Sequence, residues 1–247
     1  MAHLYIADDL TETTVGSLVG LTGAEARHAS AVSRLRVGES VLITNGRGLL
    51  CEAEASDVAK DRVQLRVLSV RESAAAHPAI TLVQALAKGD RDERAIEMAT
   101  ELGVSSIIPW QAGRSVSRWD GDKALKGRER WQAIVREASK QSIRAWVPEV
   151  APVASTKQLL GERFEGLTLV LDPSGSVSVG AALSVSGANI EHGIRVIVGP
   201  EGGLTPEEVA AFADSGAAII GLGELILRTS TAGPAVIAII NELLKRW

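Results

Sequence analysis

The chain has 247 residues, 46% of them apolar and 3% aromatic, with a formal net charge of −4. That length accommodates one large domain or two ordinary ones with sizeable cores, and the apolar fraction with few aromatics is that of an α/β protein. The acidic balance argues against a nonspecific nucleic-acid binder. No apolar run reaches membrane-spanning length. Cys51 stands alone, which excludes an internal disulfide and a thiolate metal cluster. His3, His28, His77 and His192 are scattered without ligand spacing, and "MAHLYIADDL" lacks the basic flank and apolar stretch of a signal peptide. The expectation is a cytoplasmic protein with no membrane association and no metal.

Residues 1–70 read as short strands. "HLYIA" is followed by "TVGSLVGL", and "GAEARHASAVSRLRVGE" allows one short helix and a turn. "SVLITNGRGLLCEAEA" is two β-rich runs joined at Asn45-Gly46, a strong hairpin signal. "DRVQLRVLSV" alternates as a further strand. So many short strands in so short a span predict a small β-barrel, residues 1–73. "RESAAAHPA", 71–79, is the linker, closed by Pro78.

A second domain, 74–247, follows with a different rhythm. "ITLVQAL" is a buried strand, and "DERAIEMATELG" an amphipathic helix with Ile96, Ala99 and Leu102 inward and Gly103 as its stop. "VSSIIP" is a strand and "KGRERWQAIVREASKQS" a long helix. "LTLVLDPSG", "IRVIVGPEGG" and "AAIIGLGE" are three strands that each run into a Gly- or Pro-containing loop. Thr205-Pro206-Glu207-Glu208 is a capping box with Pro at the first helical position. The last helix, "AGPAVIAIINELLKRW", is expected to bury a stripe of Ala235, Val236, Ile239, Ile240, Leu243 and Leu244. Alternating strands and helices predict an α/β fold with a mostly parallel sheet.

Ligands of open α/β sheets bind beyond the carboxyl ends of the strands. Three such ends are available: Asp172 to Gly175, Gly199 to Gly203, and Leu222 to Glu224. None carries a Gly-Lys-Ser/Thr phosphate loop, a G-x-G-x-x-G fingerprint or a Gly-x-Ser-x-Gly elbow. A ligand gripped by backbone groups of glycine loops fits these ends; plain turns fit them too. Charge is uneven: Arg114 to Arg144 holds nine Lys/Arg against four Asp/Glu, whereas Gly199 to Glu224 holds five acids and no base. Ordinary solvated helix faces produce such asymmetry as well.

In combination these motifs are more specific. "IVGPEGGLTPEE" followed by "LGELILRTSTAGPAVIAIINEL" resembles the SPOUT class of S-adenosylmethionine-dependent RNA methyltransferases. "LVQALAKGDRDERAIEMATELGVSSIIPWQAGRSV" and "RWQAIVREASKQSIRAWVPEV" are similar to the family that methylates N3 of a uridine in 16S ribosomal RNA. The resemblance covers nearly the whole chain and implies a PUA-like β-barrel for 1–73, a SPOUT domain with a trefoil knot for 74–247, and a homodimer. It implies 16S rRNA within the small ribosomal subunit as substrate; another RNA acceptor, a ribose 2′-hydroxyl or a tRNA base, and a noncatalytic RNA-binding assembly factor are the alternatives. The chain departs from the family pattern at Ser230 and Lys140, where an acid is usual, and at Ile143, where a glycine is usual.

Under that resemblance the cofactor S-adenosylmethionine is wrapped by Leu171, Asp172, Pro173, Gly199, Pro200, Glu201, Gly202, Leu222, Gly223, Leu225, Ile226, Leu227, Thr229 and Ala232. Glycine matters where a Cβ would obstruct close approach. Arg228 is the expected catalytic side chain, because a forked guanidinium can hold uracil carbonyls or a phosphate and offset a developing anion. Glu201 is the candidate base or, equally, a structural acceptor that pins loop amides. Thr229 and Ser230 or Thr231 also fit as caps of the last helix. RNA contact is expected from Arg27, His28, Arg34 and Arg36 in the front domain, and from Lys88, Arg91, Arg94, Arg114 and Arg118; such groups position phosphates and do not read sequence.

Overall fold

The computed structural model describes residues 3–247; residues 1 and 2 of the expected first domain lie outside the described residues. The chain divides into two compact units, Met1–Ala75 together with Ser139–Val147, and Ala76–Ala138 together with Pro148–Trp247.

The first unit is built from β1 (Leu4–Ile6), β2 (Leu18–Thr22), α1 (Gly23–Arg27), a wide helical turn (His28–Val32), β3 (Ser40–Thr44), β4 (Leu49–Val58) and β5 (Arg62–Glu72). Its five-stranded sheet has the order β1-β3-β4-β5-β2; β1 pairs with β3 in parallel and the other neighbours are antiparallel. Alternation along the strands buries Tyr5, Leu21, Ile43, Val63 and Leu65 in one core. The β3–β4 hairpin turns at Asn45-Gly46. Gly46 takes φ +71°, and the Asn45 side-chain oxygen accepts from the amides of Arg47 (2.8 Å) and Leu49 (3.1 Å).

Residues 139–147, which the sequence places in the second domain, group with this unit. The amide of Gly48 donates to the Ala145 carbonyl at 2.9 Å, and the Val147 amide donates to the Gly46 carbonyl at 3.0 Å. The Trp146 indole donates to the Ser73 carbonyl at 2.7 Å. These contacts are long in sequence and short in extent, so they leave no periodic trace.

The second unit comprises β6 (Ile80–Ala85), α2 (Arg91–Glu101), β7 (Ser106–Gln111), α3 (Asp122–Gln141, its last residues within the first unit), β8 (Glu149–Val150), β9 (Ala154–Ser155), α4 (Thr156–Gly161), β10 (Leu167–Leu171), α5 (Val179–Ser186), β11 (Ile194–Val198), α6 (Pro206–Asp214), β12 (Ala218–Ile220) and α7 (Thr229–Leu243). The sheet is parallel throughout, in the order β12-β10-β11-β6-β7-β8, with β9 beside β7. Its central strands are near-continuous apolar runs because both faces are covered. On one face Val83, Ala85, Trp110, Val170, Ile197, Leu204 and Phe212 form a core in which Trp110 meets Phe212 edge-on, ring centres 5.8 Å apart.

The last helix buries Val236 and Ile240 of the expected stripe, but its buried face is rotated from the one expected. Thr229, Ala232, Gly233, Val236, Ile237, Ile240 and Asn241 are buried, whereas Ile239 and Leu243 are exposed. Two contacts fix the rotation. Gly233 lies over Leu82 and Val198, where a Cβ would come within 3.0 and 3.2 Å of their methyl groups, and the Asn241 side chain donates to the Leu102 carbonyl at 2.7 Å.

Two loops of this unit cross closely. The stretch after β10 meets the end of β12 at Gly175 and Gly221, where Cβ atoms would come within 2.4 Å of the Ile220 carbonyl carbon and 2.2 Å of the Gly175 carbonyl oxygen, respectively. The Gly221 amide also donates to the Val177 carbonyl at 3.3 Å. Only glycine fits on either side of this crossing.

Candidate functional site

Because β12, β10 and β11 are adjacent and parallel, their carboxyl ends bring Leu171-Asp172, Val198-Gly199 and Ile220-Gly221 side by side. Each continuing loop is held by local bonds. One Asp172 carboxylate oxygen accepts from the Ser174 amide (2.9 Å) and hydroxyl (2.6 Å), and the Asp172 amide donates to the Ile220 carbonyl at 3.1 Å. The glycine turn closes through Gly203 N–H to the Pro200 carbonyl, 2.9 Å, with Gly203 at φ +66°. Immediately after it, both halves of the Thr205–Glu208 capping box form, at 3.2 and 3.0 Å.

Glu208 does more than cap α6. It is buried, and its Oε1 also accepts from the Gly113 amide and the Thr156 hydroxyl, both at 2.8 Å. Next to it, the Arg114 guanidinium donates to the carbonyls of Gly202 (3.0 Å) and Leu204 (2.9 Å). The loop after β7 is thereby fastened to the glycine turn, and Arg114, expected to face RNA, uses its guanidinium on that turn.

Between the three loops lie two adjoining cavities of about 370 and 280 Å³ that share Leu171, Asp172, Pro173, Ile226, Leu227 and Ala232. The larger continues to Gly199, Pro200, Glu201, Arg228 and Thr229. The smaller continues to Leu222, Gly223 and Leu225. Every residue expected to hold the cofactor lines one of them except Gly202, where a Cβ would meet Arg114 at an ordinary 3.4 Å. The sequence reading missed Val198, Gly203, Leu204, Ile220 and Glu224, which also line them; Val198 and Ile220 were legible as the last residues of strands that open into the site.

Leu225 and Ile226 form an apolar wall that is about four-fifths exposed, at 80% and 83%. Arg228 is the N-cap residue of α7, its carbonyl accepting from the amides of Thr231 and Ala232 at 2.8 and 3.0 Å, and it lines the larger cavity. Across that cavity, Glu201 Oε1 accepts from the Lys88 amide at 2.9 Å and from Arg91 Nη1 at 2.8 Å. Partial burial by itself would raise the Glu201 carboxyl; its own amide, the Lys88 amide and the Arg91 cation outweigh this and hold it below the usual carboxylate range. It is a carboxylate at neutral pH, and a weak proton acceptor.

The remaining basic residues are distributed as follows. Arg94 pairs with Asp90 at 2.8 Å on the first turn of α2. Arg118 is exposed in the loop after β7. In the first unit Arg27 ends α1, the half-buried His28 follows it, and Arg34 and Arg36 are exposed beyond the helical turn, Arg34 at φ +53°. Among the described residues no cluster of His, Cys, Asp and Glu could hold a metal ion, and no helix is long and apolar enough to cross a membrane.

Comparison with known proteins gives this arrangement its relatives. Residues 75–241 match an RNA methyltransferase domain and residues 21–68 an RNA methyltransferase PUA domain. The chain is 37% identical over 255 aligned positions to ribosomal RNA small subunit methyltransferase E of Mycobacterium bovis, covering all of this chain and 94% of that protein. It is 36% identical to the protein of that name from Bacillus subtilis, covering 86% and 85%. A ribosomal RNA small subunit methyltransferase E from Neisseria gonorrhoeae, solved bound to S-adenosyl methionine, superposes with a TM-score of 0.85 at 29% identity, over 98% of each chain. The parallel sheet with its curled N-terminal partner is the two-part fold of these proteins. The chain belongs to the RNA methyltransferase family that includes the ribosomal RNA small subunit methyltransferase E proteins.

Proposed function

We propose that this chain transfers a methyl group from S-adenosylmethionine to N3 of a uridine in 16S ribosomal RNA of the small subunit, acting in the cytoplasm. The observation that carries the reading is the pair of adjoining cavities at three parallel strand ends, walled by Leu171 to Pro173, Gly199 to Glu201 and Leu225 to Thr229. Their size suits a nucleoside with an amino-acid tail, and the solved relative from Neisseria gonorrhoeae holds that cofactor.

S-adenosylmethionine, when bound, supplies a methyl group on a cationic sulfur. The chain supplies positioning and an apolar wall. The pyrimidine nitrogen attacks as an anion, and both charges fade in the transition state, which Leu225, Ile226 and Leu227 favour as apolar surface from which a covering second subunit excludes water. Backbone groups of the glycine turn and the 222–227 loop orient the donor for an in-line approach. Arg228, at the cavity rim, offsets the negative charge of the deprotonated base. Glu201, held as a carboxylate by Lys88 and Arg91, anchors the turn to the start of α2; the imino proton leaves to solvent.

The barrel residues Arg27, His28, Arg34 and Arg36, together with Lys88, Arg91, Arg94 and Arg118, position ribosomal phosphates. The base is extruded from its stack to reach the donor. The working unit is a homodimer. Val185, Leu225 and Ile226 are at least 80% exposed, and Ile239 and Leu243 leave an apolar shoulder on α7, a concentration of surface that a second subunit covers.

The test is methylation of undermodified small subunits with purified protein and donor, followed by mass mapping. Methyl at uridine N3 supports the proposal. Methyl on a ribose or on tRNA moves the acceptor, and absence of donor binding in a calorimetric titration favours a noncatalytic role.

A further inference from the structure

Gln84 is the one polar residue in "ITLVQAL" after Thr81, and it is fully buried. It is paired in register with Val198 at the end of β11. Alternation sends Val83 and Ala85 into the core around Trp110, and Leu82 and Gln84 toward α7. A buried carboxamide in an apolar strand is costly unless bonded, and here its nitrogen is bonded while its oxygen has no hydrogen-bond partner among the described residues. Its nitrogen donates to the Thr229 hydroxyl at 2.9 Å and to the Ala85 carbonyl at 3.2 Å. The Thr229 hydroxyl in turn donates to the Gly199 carbonyl at 2.7 Å. Thr229 has a single hydroxyl proton, so the Gln84 nitrogen, acting as donor, leaves that proton free for Gly199.

We propose that Gln84 is a positioning residue of the donor site, its carboxamide holding the Thr229 hydroxyl in the orientation that ties the first turn of α7 to the glycine turn after β11. The proposal rests on the donor-site reading above. Gly199, Arg228 and Thr229 all line the larger cavity. The relay is a direct hydrogen-bonded path between the glycine turn and the first turn of α7. Gln84 itself does not line the cavity and acts only through Thr229.

The test combines Gln84→Met, Thr229→Val and their double variant in a coupling cycle, with S-adenosylmethionine affinity and single-turnover rate as readouts. If the relay acts as one unit, each single variant weakens donor binding about tenfold and the double variant is within about twofold of either. Additive losses, or Gln84→Met binding within about twofold of the parent, overturn the proposal. Should Gln84→Met fail to fold, Thr229→Ser against Thr229→Val decides. Serine keeps the hydroxyl and is expected to lose at least about fivefold less donor affinity than valine, and equal losses from both overturn the relay. A parent protein that binds no donor instead overturns the donor-site reading, whatever the variants do.

Discussion

Gly221→Ala tests the close crossing that shapes one side of the site. A methyl there would sit 2.2 Å from the Gly175 carbonyl oxygen, and real Cβ contacts stay at or beyond 3.0 Å, so the two backbones must part by at least 0.8 Å. No side chain is available to rotate away, since glycine faces glycine. Parting them also strains the 3.3 Å bond from the Gly221 amide to the Val177 carbonyl. Overpacking of this kind costs about 3 kcal/mol, which at roughly 2–4 °C per kcal/mol lowers the melting temperature by about 6–12 °C. Ile220 and Leu222 flank the substitution and line the smaller cavity, so donor affinity is expected to fall at least about fivefold, near 1 kcal/mol. Differential scanning calorimetry and donor titration measure both effects. Gly223→Ala is the control: its φ is +86° but nothing lies within 4 Å, so backbone strain alone operates, about 1 kcal/mol. A Gly221→Ala protein that melts within about 2 °C of the parent and binds donor normally would refute the argument that backbone contact fixes this crossing.

Three further outcomes follow from the site. Arg228→Ala should cut turnover at least about tenfold, near 1.4 kcal/mol of transition-state stabilisation, while donor affinity, read by titration, changes little; normal turnover removes Arg228 from the chemistry. The lowered Glu201 value means that its pairing stabilises the protein above the usual carboxylate pKa, and that this contribution fades as pH falls through the folded value. The activity difference between the parent and Glu201→Gln should therefore stay constant from about pH 6 to pH 9, and a difference that grows with pH would make Glu201 a titrating base after all. Charge reversal at both Arg27 and Arg34 should weaken binding to the small subunit and make its salt dependence shallower, measured by filter binding across a salt series; unchanged affinity and slope exclude this face from RNA contact.

Local chemistry was legible in the sequence. The Asn45-Gly46 turn, the Gly103 stop at φ +90° and the Thr205–Glu208 capping box each depend on residues within four positions, and each forms as read. The strand ends that frame the cavities were legible too, because central parallel strands are apolar runs that break at Gly or Pro. The inward face of α7 was legible only in part: Val236 and Ile240 are buried as expected, whereas Ile239 and Leu243, at equally good helical spacing, are exposed, and burial of Asn241 against the Leu102 carbonyl sets the rotation. Gln84 was hidden within a strand that otherwise reads as plain core, its partner Thr229 lying 145 positions away. The crossing at Gly175 and Gly221 escaped for a related reason: a glycine needed for a turn and one needed for a backbone contact look alike in a sequence.

The nine residues of 139–147 set a condition on how the barrel matures. The Gly48 amide and the Gly46 carbonyl find their partners at Ala145 and Val147, some seventy residues after the last barrel strand has been synthesised. At about 5–20 residues per second, translation leaves that edge waiting several seconds. A gene fragment ending at 73 would therefore yield an incomplete barrel, and transplanting this module onto another enzyme requires grafting the distant clasp along with it.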